Sequence, residues 1–222
     1  MRHIGFATLV TAGLEANHLP MLLDGHVLRG HVARANALWP LLPQQAVAVF
    51  HGPQAYVSPS WYPSKALDGK QVPTWNYAAV HAHGTLSAFD DPGRLRAVLE
   101  TLTEQHEAHR PDPWRVDDAP PDYIDKLLRA IVGIELAVER WEGLWKVSQN
   151  RTDTDRAGVV QGLRAEPDED IKHSHQWATL HFTPPAFPRD VVAYHVRVSR
   201  EPIVDQASFD AGIPARRATL AE

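Results

Sequence analysis

The spacing of hydrophobic positions changes along the chain. From Gly5 to about Phe50 they fall in short apolar or β-branched runs separated by turn residues. "GFATLVTA" predicts a strand, and "LEANHLPMLL" follows it. Asp24-Gly25 predicts a hairpin turn before "HVLRGHV", with Gly25 supplying the positive φ that such a turn needs. "ARANALWPLL" sets Leu38, Leu41 and Leu42 at helical spacing, but Pro40 and Pro43 limit any helix to a turn or two. "AVAVFHG" suits a buried strand. "TWNYAAVHAHGTLSAF" is the longest strand candidate: Tyr77, Ala79, His81 and His83 share one face, and Asn76, Ala78, Val80 and Ala82 the other. Gly84 predicts a bulge or a sharp bend in it.

The period then becomes helical. Asp91 predicts a cap with Pro92 at the first helical position, and Leu95, Val98, Leu99 and Leu102 form a stripe that Pro111 closes. "DDAPPDYIDKLLRAIVG" repeats the arrangement, with Tyr123, Ile124, Leu127, Leu128 and Ile131 on one face and Gly133 beyond the end. "IELAVERWEG" returns to period two, Ile134, Leu136 and Val138 opposing Glu135, Ala137 and Glu139. Strands, two helices and a returning strand predict an α+β domain, a small barrel flanked by helices. Beyond Leu163, "PDED", "TPPAFP" and "VVAYHVRV" do not fit that barrel.

Composition narrows the chemistry. The chain has no cysteine, which removes disulfides, zinc–thiolate sites, iron–sulfur clusters and a cysteine nucleophile. A formal net charge of −5 argues against non-specific binding to nucleic acid. No run reaches the length of a membrane span, and "IGFATLV" reads as a strand rather than a signal peptide, so the expectation is a cytoplasmic protein without membrane contact. His81 and His83 alternate on one strand face as metal ligands can, but a site would still need a third and fourth ligand, and no metal site is expected. No Ser-His-Asp set, P-loop or dinucleotide fingerprint is present.

The stretch from Tyr56 to Gly84 mixes large aromatic rings with hydroxyls, amides and lysines. Tyr56, Trp61, Trp75 and Tyr77 offer faces and edges to a planar ring. Arg34, Lys65, Lys70, Lys146 and Arg151 can neutralise a phosphate. Ser58, Thr74, Asn76, Ser148, Gln149 and Asn150 can supply short polar contacts. Such a set suits a ligand that is flat at one end and anionic at the other.

Four segments together resemble the PaiB family of FMN-binding transcriptional regulators: "GLEANHLPMLLDGHVLRGHVARANALW", "FHGPQAYVSPSWYPSK", "VPTWNYAAVHAHGTLSAFDD" and "WEGLWKVSQNRTDTDRAGVVQGL". The resemblance runs from about Gly5 to Leu163. It implies the split β-barrel of pyridoxamine-phosphate-oxidase-like proteins over residues 1–163, with 164–222 as a C-terminal extension. It implies FMN as cofactor. The FMN-binding set it implies is His31, Arg34 and Asn36 in "RGHVARAN", Tyr56, Ser58 and Trp61, then Thr74, Trp75, Asn76 and Tyr77 in "PTWNY", and Lys146, Ser148, Gln149, Asn150 and Arg151 in "KVSQNR". In the last motif Lys146, Ser148 and Asn150 are expected on one strand face. It also implies a homodimer.

The expected function is an FMN-dependent negative transcriptional regulator acting on DNA or through a partner protein, although no basic recognition helix is visible. Two alternatives stay open at this point. One is a flavin-dependent oxidoreductase, a reductase or oxidase of small substrates. The other is a haem-binding split-barrel protein that uses one of the histidines.

Overall fold

The computed structural model describes residues 5–166. These residues form two compact units, the first from residues 5–50 and 81–140, the second from residues 51–80 and 141–166. Three long strands, β5 (Gln44–Val57), β6 (Thr74–Phe89) and β7 (Ile131–Lys146), each start in one unit and finish in the other.

The first unit also holds β1 (Phe6–Thr11), β2 (Ala16–Pro20), β3 (Leu22–Asp24) and β4 (Val27–Ala33). The strands are hydrogen-bonded in the order β2-β1-β5-β6-β7-β4-β3. β1 runs antiparallel to β2 and β5, and β4 runs antiparallel to β3 and β7. Period-two burial follows from this pairing: Ala7, Leu9 and Thr11 point inward from β1. The β3–β4 hairpin turns on Gly25-His26, one residue later than the sequence suggests. Asp24 is the last paired residue there, and Gly25 takes φ +59°. The Asp24 carboxylate is spent on an ion pair with Arg29.

Helix α2 (Pro92–Glu107) starts as its sequence dictates, Asp91 accepting from the Arg94 backbone N–H at 2.7 Å. Its buried Leu95, Val98 and Leu102 join Phe89, Val116, Ile124 and Leu128 in the unit's helical core. Replacing Asp91 by alanine removes the cap and is expected to lower unfolding free energy by about 1 kcal/mol, read as a shifted urea midpoint at unchanged slope.

Two readings of α3 (Pro121–Arg129) need correction. It buries Ile124 and Leu128 but leaves Tyr123 and Leu127 at 53% and 44% exposure, so its covered stripe is narrower than the hydrophobic pattern. Its last turn is followed by Ala130 in right-handed geometry rather than by a glycine cap. Gly133 instead lies inside β7, where a Cβ would run into the Phe89 ring.

Gly84 likewise marks a close approach. β6 continues through it, and a Cβ there would overlap the carbonyl oxygen of Ala137 on β7. Burial along β6 is not one strict alternation: Asn76, Ala79 and Ala82 are covered, then Gly84 and Leu86. Each half of the strand faces the interior of its own unit, so the two halves need not share a phase.

In the second unit Ala55, Val57, Tyr62, Val159 and Leu163 make a separate core, with Trp61 against it. A 3-10 turn over Pro59–Trp61 is capped by Ser58, and a single helical turn, α1 (Lys65–Asp68), follows. Helix α4 (Asp153–Ala165) presents Gly158 and Gly162, one turn apart, to Trp61. A Cβ on the first would overlap the Trp61 carbonyl, and on the second its indole ring. β7 stops at Lys146, so "VSQNR" is a turn and not a continued strand. Ser148 in that turn has φ +62°. "TPPAFP" and "VVAYHVRV" lie outside the described residues. Among the described residues no helix is long and apolar enough to cross a membrane.

Candidate functional site

The first unit holds His31, Arg34 and Asn36, and the last two are engaged there by hydrogen bonds. Arg34 forks onto Asp90, with 2.9 Å from Nη1 and 2.5 Å from Nη2. It also donates to the Arg129 and Ile131 carbonyls at 2.8 and 3.0 Å. Asp90 holds the guanidinium pKa up, and Arg34 in turn holds the Asp90 carboxyl down. Asn36 donates to Asn17 and accepts from the Leu38 N–H, both at 2.8 Å. His31 lies on β4 opposite Gly133; burial lowers its pKa, and its Nδ1 is covered without a hydrogen-bond partner.

The second unit gathers a larger polar cluster at the start of β6, the end of β7 and the following turn. Thr74 and Asn76 point to the same side of β6. Lys146 Nζ donates to Thr74 Oγ1 at 2.5 Å. Ser148 Oγ donates to Asn76 Oδ1 at 3.1 Å. The left-handed backbone of Ser148 carries a strain of roughly 1–2 kcal/mol for a residue with a side chain, and the turn that imposes it brings Arg151 back toward Lys146. Burial first, and then the neighbouring Arg151 charge, keep the Lys146 pKa below the ordinary amine range. Arg151 donates to Gln71 Oε1 at 2.9 Å, and its guanidinium stands 4.8 Å from the Tyr62 ring centroid.

Asn76 Nδ2 is buried here without a partner, and the Tyr62 hydroxyl is buried beside Ser148 and Arg151 without a well-formed hydrogen bond to either. Burial raises the Tyr62 pKa despite Arg151 nearby, so the phenol keeps its proton and remains a donor. Asn76 is 6% exposed, which makes an unanswered amide N–H costly. Among the described residues neither Lys146 nor Arg151 forms a carboxylate ion pair.

The other residues singled out from the sequence take no part in these contacts. Tyr56 and Trp75 meet edge to face at 6.0 Å and are exposed by 43% and 54%. Strand alternation turns Trp75 away from Thr74 and Asn76. Trp61 is held against α4, and Ser58 bonds the Ser60 hydroxyl at 2.7 Å. Gln149 closes its own turn, donating to the Trp145 carbonyl at 2.5 Å and accepting from Val147 N–H at 2.8 Å. Asn150, Lys65 and Lys70 are exposed, and Tyr77 is half-buried on β6.

Sequence reasoning passed over Gln71 and Asp155, which meet the cluster through Ser64. Asp155 accepts from the Ser64 N–H at 3.0 Å and its hydroxyl at 2.8 Å. Burial alone would raise its pKa, but these bonds, Thr152 and Arg151 outweigh it and leave the carboxyl below its usual range. The spacing of Thr152 and Asp155 was a usable signal. Threonine followed three residues later by an acid marks a helix start.

Comparison with known proteins bears on the family. The family described as "Putative FMN-binding domain" matches residues 1–140. The Bacillus subtilis protein named protease synthase and sporulation protein PAI 2 is 34% identical over 176 residues, spanning 75% of this chain and 82% of that protein. The chain belongs to the PaiB family of FMN-binding proteins. An uncharacterized protein of Emericella nidulans is 34% identical over 188 residues, spanning 68% of this chain and 75% of its own length. A solved FAD and haem binding protein from Mycobacterium smegmatis covers 70% of this chain and 73% of its own at 18% identity, with a TM-score of 0.49. Family membership carries the fold class expected from the sequence, an α+β split β-barrel with flanking helices, and FMN as the cofactor.

The second-unit cluster fits that cofactor on its own chemistry. It gathers an ammonium and a guanidinium, each bonded only to a neutral group, with a partnerless amide N–H and a covered phenol, all donors. A ligand group with only acceptors and negative charge, such as a phosphate ester, satisfies them all.

Proposed function

We propose that the protein is an FMN-binding, PaiB-like negative transcriptional regulator whose second unit grips the flavin phosphate with Lys146, Arg151, Asn76 and Tyr62. The observation that carries the site is the buried, partnerless Asn76 amide N–H near two cations that, among the described residues, make no direct ion pair with a carboxylate. The regulatory role is supported by kinship with the Bacillus subtilis sporulation protein. Bound FMN supplies a ring that accepts and returns electrons, and the protein's part is to hold and orient it. Thr74 steadies Lys146, and Ser148 turns the Asn76 carbonyl aside so that its amide nitrogen faces the open position. Regulation then runs from flavin occupancy to a partner protein or DNA. A homodimer belongs to the same reading, and the exposed Tyr123 and Leu127 are apolar surface that a second copy would cover.

The test has two parts. The purified protein is saturated with FMN, freed of excess by gel filtration, and read at 450 nm beside its mass. One flavin per chain on a dimer is expected. Transcripts are then compared between cells lacking the protein and cells restored with wild type or with the Lys146→Ala, Arg151→Ala chain. Repression by wild type alone supports a flavin-dependent regulator. Equal repression by both chains rejects it, and NAD(P)H turnover without any transcript change would make the protein an oxidoreductase.

A further inference from the structure

Resting on the reading that Lys146 and Arg151 hold the flavin phosphate, we infer that Asp155, Ser64 and Gln71 form a one-directional hydrogen-bond chain that positions Arg151 for it. Asp155 is 3% exposed. Its ionised carboxylate only accepts. The Ser64 hydroxyl has one proton and gives it to Asp155 Oδ2 at 2.8 Å. That leaves Ser64 Oγ as an acceptor, and Gln71 Nε2 donates to it at 2.8 Å. With its nitrogen committed, the Gln71 amide must turn its oxygen the other way, and Oε1 accepts from Arg151 Nη1 at 2.9 Å. The direction of every link is therefore set by the carboxylate at the far end.

The chain also answers a difficulty of charge. A carboxylate placed directly against Arg151 would orient it but would also neutralise it, as Asp90 does for Arg34. Here the contacting group is a neutral amide, and the negative charge stands two links away. Tyr62 holds the other side of the guanidinium at 4.8 Å. Arg151 is thus fixed by a ring and an amide while its charge stays available to an anion. Gln71, Ser64 and Asp155 are positioning residues and touch no ligand themselves.

A phosphate-specific readout separates this role from general stability. FMN and riboflavin differ only in the phosphate, so the ratio of their dissociation constants, taken from flavin fluorescence quenching, isolates it. Wild type is expected to prefer FMN. In Gln71→Leu that preference falls about tenfold, the order of one hydrogen bond to a charged group, while riboflavin binding is unchanged. Asp155→Asn gives a test of sign. Simple Coulomb attraction predicts tighter FMN binding once a negative charge near Arg151 is gone. The chain predicts the reverse: the new amide donates to Ser64, Ser64 donates to Gln71, and Gln71 flips its NH2 against the guanidinium. An unchanged ratio in Gln71→Leu, or a raised one in Asp155→Asn, overturns the inference. Should Asp155→Asn melt below the assay temperature, Gln71→Leu decides alone. If Arg151→Ala lowers the ratio and Gln71→Leu does not, the phosphate site stands and the chain falls. If wild type shows no preference for FMN, both fall.

Discussion

Gly84→Ala is expected to lower stability by about 3 kcal/mol or more, beyond the middle of the range for overfilled sites. The added methyl would overlap a main-chain carbonyl, that of Ala137 on the adjacent strand, and also approach the Glu139 nitrogen. A side chain in the way can rotate, but a carbonyl inside a ladder can retreat only if the strand moves. At the scale of a chain this size such a loss lowers the melting temperature by roughly 6–12 °C. Gly133→Ala is the natural comparison. Its methyl would strike the Phe89 ring, a side chain with some freedom, although Arg94 stacks on that ring at 4.2 Å. The expected order is therefore Gly84→Ala worse than Gly133→Ala. The reverse order in thermal melts would mean that β6 and β7 are not held as tightly as described.

Removing Lys146 and Arg151 together is expected to weaken FMN binding by about two to four orders of magnitude, from roughly 1.5–3 kcal/mol for each charge-assisted contact. Riboflavin should bind both chains alike. The pH trend is a second signature. In the free protein the Lys146 pKa is depressed, chiefly by burial. Between that lowered value and the ordinary one, the unfolded chain binds the extra proton, so the stability of the free protein rises with pH across that window. FMN needs the ammonium form, so its affinity falls as pH rises through the same group. Opposite slopes are expected from wild type. Lys146→Met should flatten both, and a variant that retained both slopes would remove Lys146 from the site.

The helical part of the fold was legible because its signals are local. Asp91, Pro92 and the Leu95–Val98–Leu102 stripe state a start and a buried face within a few turns of chain. Where the readings failed, the deciding partner was distant in sequence. The pattern on α3 records that Tyr123 and Leu127 are apolar, not whether anything covers them. "KVSQNR" looks like a strand because β7 points straight into it; the break at Ser148 is a left-handed serine, which residue type does not announce. Arg34 shows a further limit, since the guanidinium that suits a phosphate equally suits Asp90, 56 residues away. Of the residues named for FMN, Thr74, Asn76, Lys146, Ser148 and Arg151 do lie together, while the Tyr56–Trp75 pair faces elsewhere. Gln71 was invisible as a neutral residue in a polar loop, whose importance comes only from what stands on either side of it.

The way β5, β6 and β7 thread both units bears on how the chain is made. Residues 51–80 are synthesised well before their core partners Val159 and Leu163, which are encoded far downstream. At ~5–20 residues per second, Val57 and Tyr62 wait several seconds for α4. The first unit also waits, since β4 pairs with β7 and cannot close its side of the sheet until Ile131–Ala137 has been synthesised. Neither unit can therefore complete its fold until these later segments have been synthesised. A nascent chain stalled before residue 153 would carry Trp61 and Tyr62 without their α4 cover, which makes that helix the part whose arrival closes this core.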